Sequence, residues 1–486
     1  MSGPNGNQSA TLSVSSARGK NMRMGSTDAS FDKSVSILRL RDETRKARHQ
    51  QIATGTRPGS AAELAAIPSV GADPGADSTS TSSNWHGLMH IVFLHPLSTL
   101  LIAWPFGIYA YLHSWSPIAV FVLSFLALVP LAKILGDATE ELAAGLKNPV
   151  VGGLLNATFG NAVEMILTVQ SLRAGQIEVV KGTLLGSILS NLLLVLGMSF
   201  FIGGLTPAYK GSSVKGKEQV FSTPAALTNM TMLFLATCSF SLPTVFFSAR
   251  QLEGLHNFFE FNDDRLLVSQ NEPLVLQISR YCSIYILSAY LAFLVFQLFT
   301  HAEVFAEQED TDDDGDGEEF ILSPCVAVLL LCLTTIFVAA SSECLVDSID
   351  GLVEDVGIGH VFIGVILLPI VGNACEHAGA VRMAIHNKVD ITIGIAIGSS
   401  TQVGLFVVPF TVIVGWLIDQ PMNLNFGPLD SSVLMFAVII TFSIVSDGAS
   451  NWLEGFMLMM AYLVIATLYW HVPDAVTEAK PHHHHA

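Results

Sequence analysis

Two glutamates, Glu164 and Glu376, sit in apolar surroundings, each closing a five-residue run: GNAVE (Gly160 to Glu164) and GNACE (Gly372 to Glu376). A carboxylate deep in hydrocarbon is costly, so it marks a functional site by default. In each run the glycine frees the backbone to unwind, the amide of Asn161 or Asn373 offers an oxygen, and the carboxylate follows within a turn. Helices broken in this way turn carbonyls and carboxylates toward one point. More polar side chains follow on helical faces: Ser187, Ser190 and Asn191 in GSILSN, and Ser399, Ser400, Thr401 and Gln402 in GSSTQ. One Ser or Thr in a membrane helix ordinarily bonds to backbone or permits close packing, so it is the grouping that points to a site. Two carboxylates with amide, hydroxyl and carbonyl oxygens form a hard shell suited to Ca2+. A pair of protonated acids tying helices together is the alternative; matching positions in two halves favour the cation. Facing carboxylates do not comfortably both ionise, and metal ligands must deprotonate, so protons and Ca2+ compete for the same oxygens. That is the chemistry expected of a cation/proton antiporter.

The elements that must hold these residues follow from composition. Of 486 residues 13% are charged and 51% hydrophobic, and ten of the 23 Lys and Arg precede residue 58. Long stretches beyond residue 95 are therefore nearly uncharged, as segments solvated by lipid are. The net charge of −18 argues against nucleic-acid binding. The six cysteines lie in or beside apolar segments with no CxxC pair, so they read as small hydrophobes.

Residues 1–84 are rich in Ser, Gly, Ala and Thr and read as a disordered tail. The tail's first 57 residues hold ten basic against four acidic residues, which places the N-terminus in the cytosol by the positive-inside bias. Eleven spans follow, at about 96–113, 117–142, 148–172, 178–203, 222–247, 273–300, 323–348, 359–386, 390–418, 431–446 and 452–471. An acidic connector, 303–322, separates one plus five spans from five more. The expected fold is an all-α polytopic membrane protein of eleven transmembrane helices, with a first span at 85–115, a first repeat at 116–302, a second at 323–472 and a C-terminal tail at 473–486.

Five spans per half leave the halves oppositely oriented. A shift of 212 residues lays Asn148–Leu205 on His360–Leu417 with 14 identities in 58 positions, among them both glutamates, Gly182 on Gly394, Gly186 on Gly398 and Ser187 on Ser399. Such an inverted repeat is common in secondary transporters and places the substrate site near the midplane, between the repeats.

Other charged groups have plainer readings. His377, beside Glu376, is placed to shuttle protons or simply to pack against a neighbour. Arg382 is expected to snorkel. Asp137, Glu140 and Glu141 in span two, and Glu343, Asp347 and Asp350 in span seven, repeat at helical spacing near expected cytosolic ends. They gather cations at an entrance or serve as solvated caps. Asp447 and Glu454 flank the last turn, where capping suffices. Asp310, Asp312, Asp314 and Gly315 match the first half of an EF-hand, but position twelve is Ile321 rather than Glu, so the loop is not one. A solvated charge run is the safer reading of the connector. The terminal His482 to His485 are set aside.

The runs GNAVEMILTVQSL and GNACEHAGAVRMA, followed by GSILSN, GSSTQVGLFVVPF and SDGASNWLEG, resemble the Ca2+/H+ exchangers of the cation/Ca2+ exchanger superfamily, particularly fungal vacuolar members. The resemblance covers about residues 95 to 472. It implies that the first helix stands outside the repeats and that Glu164 and Glu376 carry both Ca2+ and H+. It further implies supporting roles for Asn161, Ser187, Asn373, Ser399 and Gln402, and transport of Ca2+ from cytosol to vacuole with a lumenal C-terminus. Some relatives also carry Mn2+, which oxygen ligation permits. No cofactor is implied; the partners are Ca2+, H+ and the bilayer, with a second copy of the chain as a further candidate. Coupling to Na+ or K+, or a Ca2+-permeable channel, are the rival functions. An enzyme is not expected, since no GxSxG elbow or HExxH pair is present.

Overall fold

Hydrophobic runs of about twenty residues can satisfy their backbone in lipid only as helices. The computed structural model describes residues 79–146, 148–207, 216–258, 265–306 and 322–472. Most of the tail at 1–84, the EF-hand-like stretch and the residues from 473 onward lie outside the described residues. Among the described residues, eleven segments are long and apolar enough to cross a membrane, nine as single helices and two when each bent pair is taken as one span. They are α1 (Asn84–Leu94 with Pro96–Leu112), α2 (Pro117–Gly145), α3 (Val150–Arg173), α4 (Ile177–Leu205), α5 (Thr223–Arg250) and α6 (Pro273–Thr300). After the connector come α7 (Pro324–Val356), α8 (His360–Gly372 with Ala374–Ile385), α9 (Val389–Leu417), α10 (Pro428–Val445) and α11 (Trp452–Trp470).

The two halves of α1 meet at 76°. Pro96 forces His95 out of the helical region (φ −75°, ψ 140°), and the freed N–H of Leu97 donates to Nδ1 of His95 at 3.2 Å. The helix leading into this bend starts at Thr79, so the last residues read as tail from sequence are helical, and the first span is longer than its apolar core at 96–113 suggested.

The 212-residue shift reappears in the geometry. The second part of α3 runs Ala162–Arg173 and the second part of α8 runs Ala374–Ile385; α4 spans Ile177–Leu205 and α9 spans Val389–Leu417. Each boundary recurs 212 positions on. The turns match too: Gly175 (φ 76°) and Asn387 (φ 63°) both take the left-handed conformation that ends a helix. Gln176 N donates to Ser171 O, and Lys388 N to Met383 O, each over 2.9 Å. An asparagine tolerates that conformation nearly as well as a glycine.

α4 and α9 are the most enclosed of the nine single-helix spans, with 72% and 61% of their apolar windows buried, so most of their apolar side chains pack on protein. Leu184, Leu192, Val195, Ile397 and Leu405 pack there. Leu235, Phe436 and Val464, on outer helices, remain exposed, as lipid-facing residues do.

The end of α2 and the start of α7 share one face, where Leu322 N donates to Glu141 Oε2 at 2.8 Å. We call it the connector face. Because α7 crosses once from there, Glu343, Asp347 and Asp350 approach the opposite face, where Tyr111 donates to Asp347 at 2.6 Å and Gln176 to Asp350 at 3.2 Å. This corrects the expectation that they share a face with Asp137, Glu140 and Glu141: helical spacing does not register an odd number of crossings. Lys133 pairs with Asp137 within α2.

Each face also has its own tie between the halves. On the connector face β1 (Gln219–Val220) pairs antiparallel with β2 (Ala449–Ser450). On the opposite face Lys181 of α4 donates to Asn423 Oδ1 at 2.8 Å and to Asn425 O at 2.6 Å, holding the loop between α9 and α10.

Candidate functional site

The site starts from two helix breaks. Asn161 (φ −107°, ψ 24°) and Asn373 (φ −90°, ψ 17°) both leave helical geometry for the bridge region, and α8 bends there by 57°. Each asparagine carbonyl then begins a new half-helix, accepting from Met165 N in one case and His377 N in the other, at 3.0 Å. Glu164 and Glu376 are thus the third residues of their half-helices, where the positive end of the helix dipole favours a carboxylate.

The asparagine side chains tie the repeats together. Ser187 Oγ donates to Asn373 Oδ1 at 3.0 Å, and Asn373 Nδ2 donates back to Ser187 O at 3.1 Å. The mirror bond runs from Ser399 Oγ to Asn161 Oδ1 at 3.3 Å. Asn161 Nδ2 donates to Gln402 Oε1 at 2.8 Å, and Asn191 Nδ2 to Ser399 Oγ at 3.1 Å. Six residues singled out from sequence therefore form two hydrogen-bonded groups, Ser187 with Asn373 joining α4 to α8, and Asn161, Gln402, Ser399 and Asn191 joining α3, α4 and α9.

Against the second group lies a cavity of about 180 Å³, bordered by Gly160, Asn161, Gly372, Glu376, Ser399 and Gln402. Glu164 is 1% exposed and packs on Gly372, so close that a Cβ on that glycine would fall 3.0 Å from Glu164 Oε1. A glycine at 372 is what lets the carboxylate approach the opposing backbone. Neither oxygen of Glu164 has a hydrogen-bond partner, nor does Oε2 of Glu376. Buried carboxylate oxygens without donors are rare and call for a cation or a proton. Among the described residues no three His, Cys, Asp or Glu side chains converge, so neutral oxygens must complete any cation shell here.

Other expected residues sit elsewhere. Ser190 is buried outside the cavity wall. His377 Nδ1 lies 2.6 Å from Asn373 O while its Nε2 is buried and unpartnered. Glu343 and Asp347 are toward the opposite face and do not border the cavity. Glu140 of α2, read from sequence as a cation-gathering group or a solvated cap, borders it, and so do Asn156 of α3 and Cys375, neither of which was read from sequence as a site residue. The signal for Glu140 was its helical spacing from Gly136, whose Cβ position would lie 3.1 Å from Cys375 Sγ, so that α2 touches α8 there. From Glu376 the wall continues through Glu140, Asn156 and Gly379, toward the connector face, while Glu164 lies behind it, against Gly372.

Comparison with known proteins agrees with this architecture. The family described as "Sodium/calcium exchanger protein" matches residues 116–299 and 326–470. A vacuolar cation/proton exchanger 2 of Oryza sativa subsp. japonica is 39% identical over 412 residues, covering 82% of this chain and 88% of its own length. A vacuolar calcium ion transporter of Schizosaccharomyces pombe is 36% identical over 375 residues, covering 77% and 84%. The solved structure of the Ca2+/H+ antiporter protein YfkE superposes with a TM-score of 0.60 at 33% identity, over 77% of this chain and 98% of that one. The fold of paired repeats, the two matched breaks and these likenesses together make the chain a member of the sodium/calcium exchanger protein family.

Proposed function

We propose that this transporter exchanges Ca2+ for H+ across the membrane of an acidic organelle, with both ions using Glu164 and Glu376. The observation that carries the reading is the pair of carboxylates, one from each repeat, with both oxygens of Glu164 and Oε2 of Glu376 buried without donors, Glu376 bordering the cavity and Glu164 packed on Gly372 of its wall. Relatives named as Ca2+/H+ antiporter and as vacuolar calcium or cation/proton transporters support it. Ca2+ enters from the connector face, displaces protons from the carboxylates, and takes oxygens from Asn161, Asn373, Ser399 and Gln402. Protons from the acidic side later expel it.

The finer assignments belong to the same reading. The organelle is the vacuole, the connector face and N-terminus are cytosolic, and the C-terminus is lumenal. Residues 116–302 and 323–472 are the repeats, with the first span outside them. Mn2+ fits the same oxygens, and Glu140 and His377 are accessory groups at the site. Reconstituted vesicles with an imposed pH gradient test the proposal: 45Ca uptake that collapses with the gradient is expected. Uptake driven equally by Na+ or K+ gradients, or flux indifferent to pH, would reject proton coupling.

A further inference from the structure

On the opposite face α4 and α8 cross at backbone contact. A Cβ on Gly182 would lie 3.1 Å from Gly364 Cα, and one on Gly364 would lie 3.0 Å from Val179 O. One turn on, a Cβ at Gly186 would overlap the carbonyl oxygen of Val365 and sit 2.6 Å from the ring of Pro369. Only glycines permit this approach, and it seals the protein on the side away from the cavity.

The repeat supplies a second set of the same residues. Gly394 and Gly398 of α9 correspond to Gly182 and Gly186, and Gly152 of α3 corresponds to Gly364. This second crossing is not made. A Cβ on Gly398 would meet nothing within 4 Å, Gly152 faces Ala143 of α2 at 3.3 Å, and Gly153 faces Leu298 of α6. Asn156 of α3 and Gly394 of α9 instead form walls of the cavity. Nothing in the present packing requires glycine at 398, since an alanine would fit.

We propose that the two crossings alternate: when the cavity opens to the opposite face, Gly394 and Gly398 of α9 close on Gly152 and Gly153 of α3, while Gly182 and Gly186 part from Gly364 and Val365. Two oppositely oriented copies of one packing motif, one engaged and one apart, exchange roles without a change in the architecture of the core. Gly394 and Gly398 are then positioning residues for the transport step, although they touch no ion-binding oxygen in the present state. The inference rests on the antiport reading of the cavity.

Two measurements test it. Gly398→Val places its Cβ where no atom lies within 4 Å, so the variant should fold and bind 45Ca2+ from the connector face within about twofold of wild type, while uptake driven by a pH gradient falls at least about 20-fold. A purely structural role would lower binding and transport together. In the second, Gly152→Cys/Gly394→Cys, exposed to copper–phenanthroline as the oxidant during turnover with Ca2+ and a pH gradient, should form a disulfide, identified by peptide mass spectrometry; closed glycine crossings bring Cα atoms within disulfide range. Bridging should arrest uptake, and reductant should restore it. Wild-type uptake by Gly398→Val, or a transporting cysteine pair that never bridges, would overturn the proposal. Wild-type vesicles that take up no 45Ca2+ under a pH gradient would refute the antiport reading instead, and bridging on Ca2+ addition alone would still decide the alternation.

Discussion

The Ser187 hydroxyl donates to Asn373 Oδ1 over 3.0 Å, a bond that passes from the first repeat to the second. Its counterpart, Ser399 to Asn161 at 3.3 Å, passes back. Each half therefore orients the helix break of the other, and neither break is held by its own repeat alone.

Removing either carboxylate charge should stop exchange. Glu164→Gln and Glu376→Gln keep the shape but cannot trade a proton for a metal ion, so proton-driven 45Ca2+ uptake should fall by more than about 100-fold, beyond what losing an outer-shell partner of a ligand costs. Melting in detergent should rise or stay level, because a buried charge has been replaced by an amide. Normal uptake by either variant would remove the pair from the mechanism.

The cross-repeat bonds should be measurable as a coupling. Ser187→Ala and Asn373→Ala are each expected to raise the KM for Ca2+, and a double-mutant cycle in detergent melts should return a coupling of about 0.6 kcal/mol, the average for hydrogen bonds between membrane helices. Strict additivity would mean that the bond is not maintained in the membrane.

Acidity at the connector face should weaken Ca2+ binding. Protonation and metal binding are mutually exclusive on the same oxygens, so when both carboxylates are protonated in the ion-free form, apparent affinity should drop by up to about 100-fold per pH unit, and by about tenfold when one is. Isothermal titration at stepped pH reads the number of protons released, and an affinity independent of pH would contradict competition.

On the opposite face, Lys181→Met should destabilise the protein by about 3 kcal/mol, since it strips the donor from Asn423 and Asn425 and leaves the nearby Asp430 without its compensating charge. Asp430 also accepts from Tyr469 at 2.7 Å. Adding Asp430→Asn should recover part of the loss, as thermal melts would show.

Much of this site was legible because the signal was duplicated. One Gly-Asn-x-x-Glu run is ambiguous, whereas two in register fixed the breaks, the glutamates and the partners Ser187 and Ser399. What escaped depended on relations that a linear pattern does not carry. The bend at His95 begins from a polar stretch that hydropathy assigned to the tail. The acidic groups of α2 and α7 looked alike in spacing yet stand on opposite faces, because one crossing separates them. Cys375 and Glu140 became site neighbours only through the close approach of α2 to α8 at Gly136.

The two-residue ribbon of β1 and β2 has a mechanical meaning beyond its size. It stitches the loop before α5 to the loop before α11 on one surface, and Lys181 clasps the loop before α10 on the other. The halves are thereby tied at both rims, and a clamshell gaping along the seam would have to break one of these ties. Whatever moves to let an ion through must do so inside this frame, by tilting individual helices past a stationary chassis.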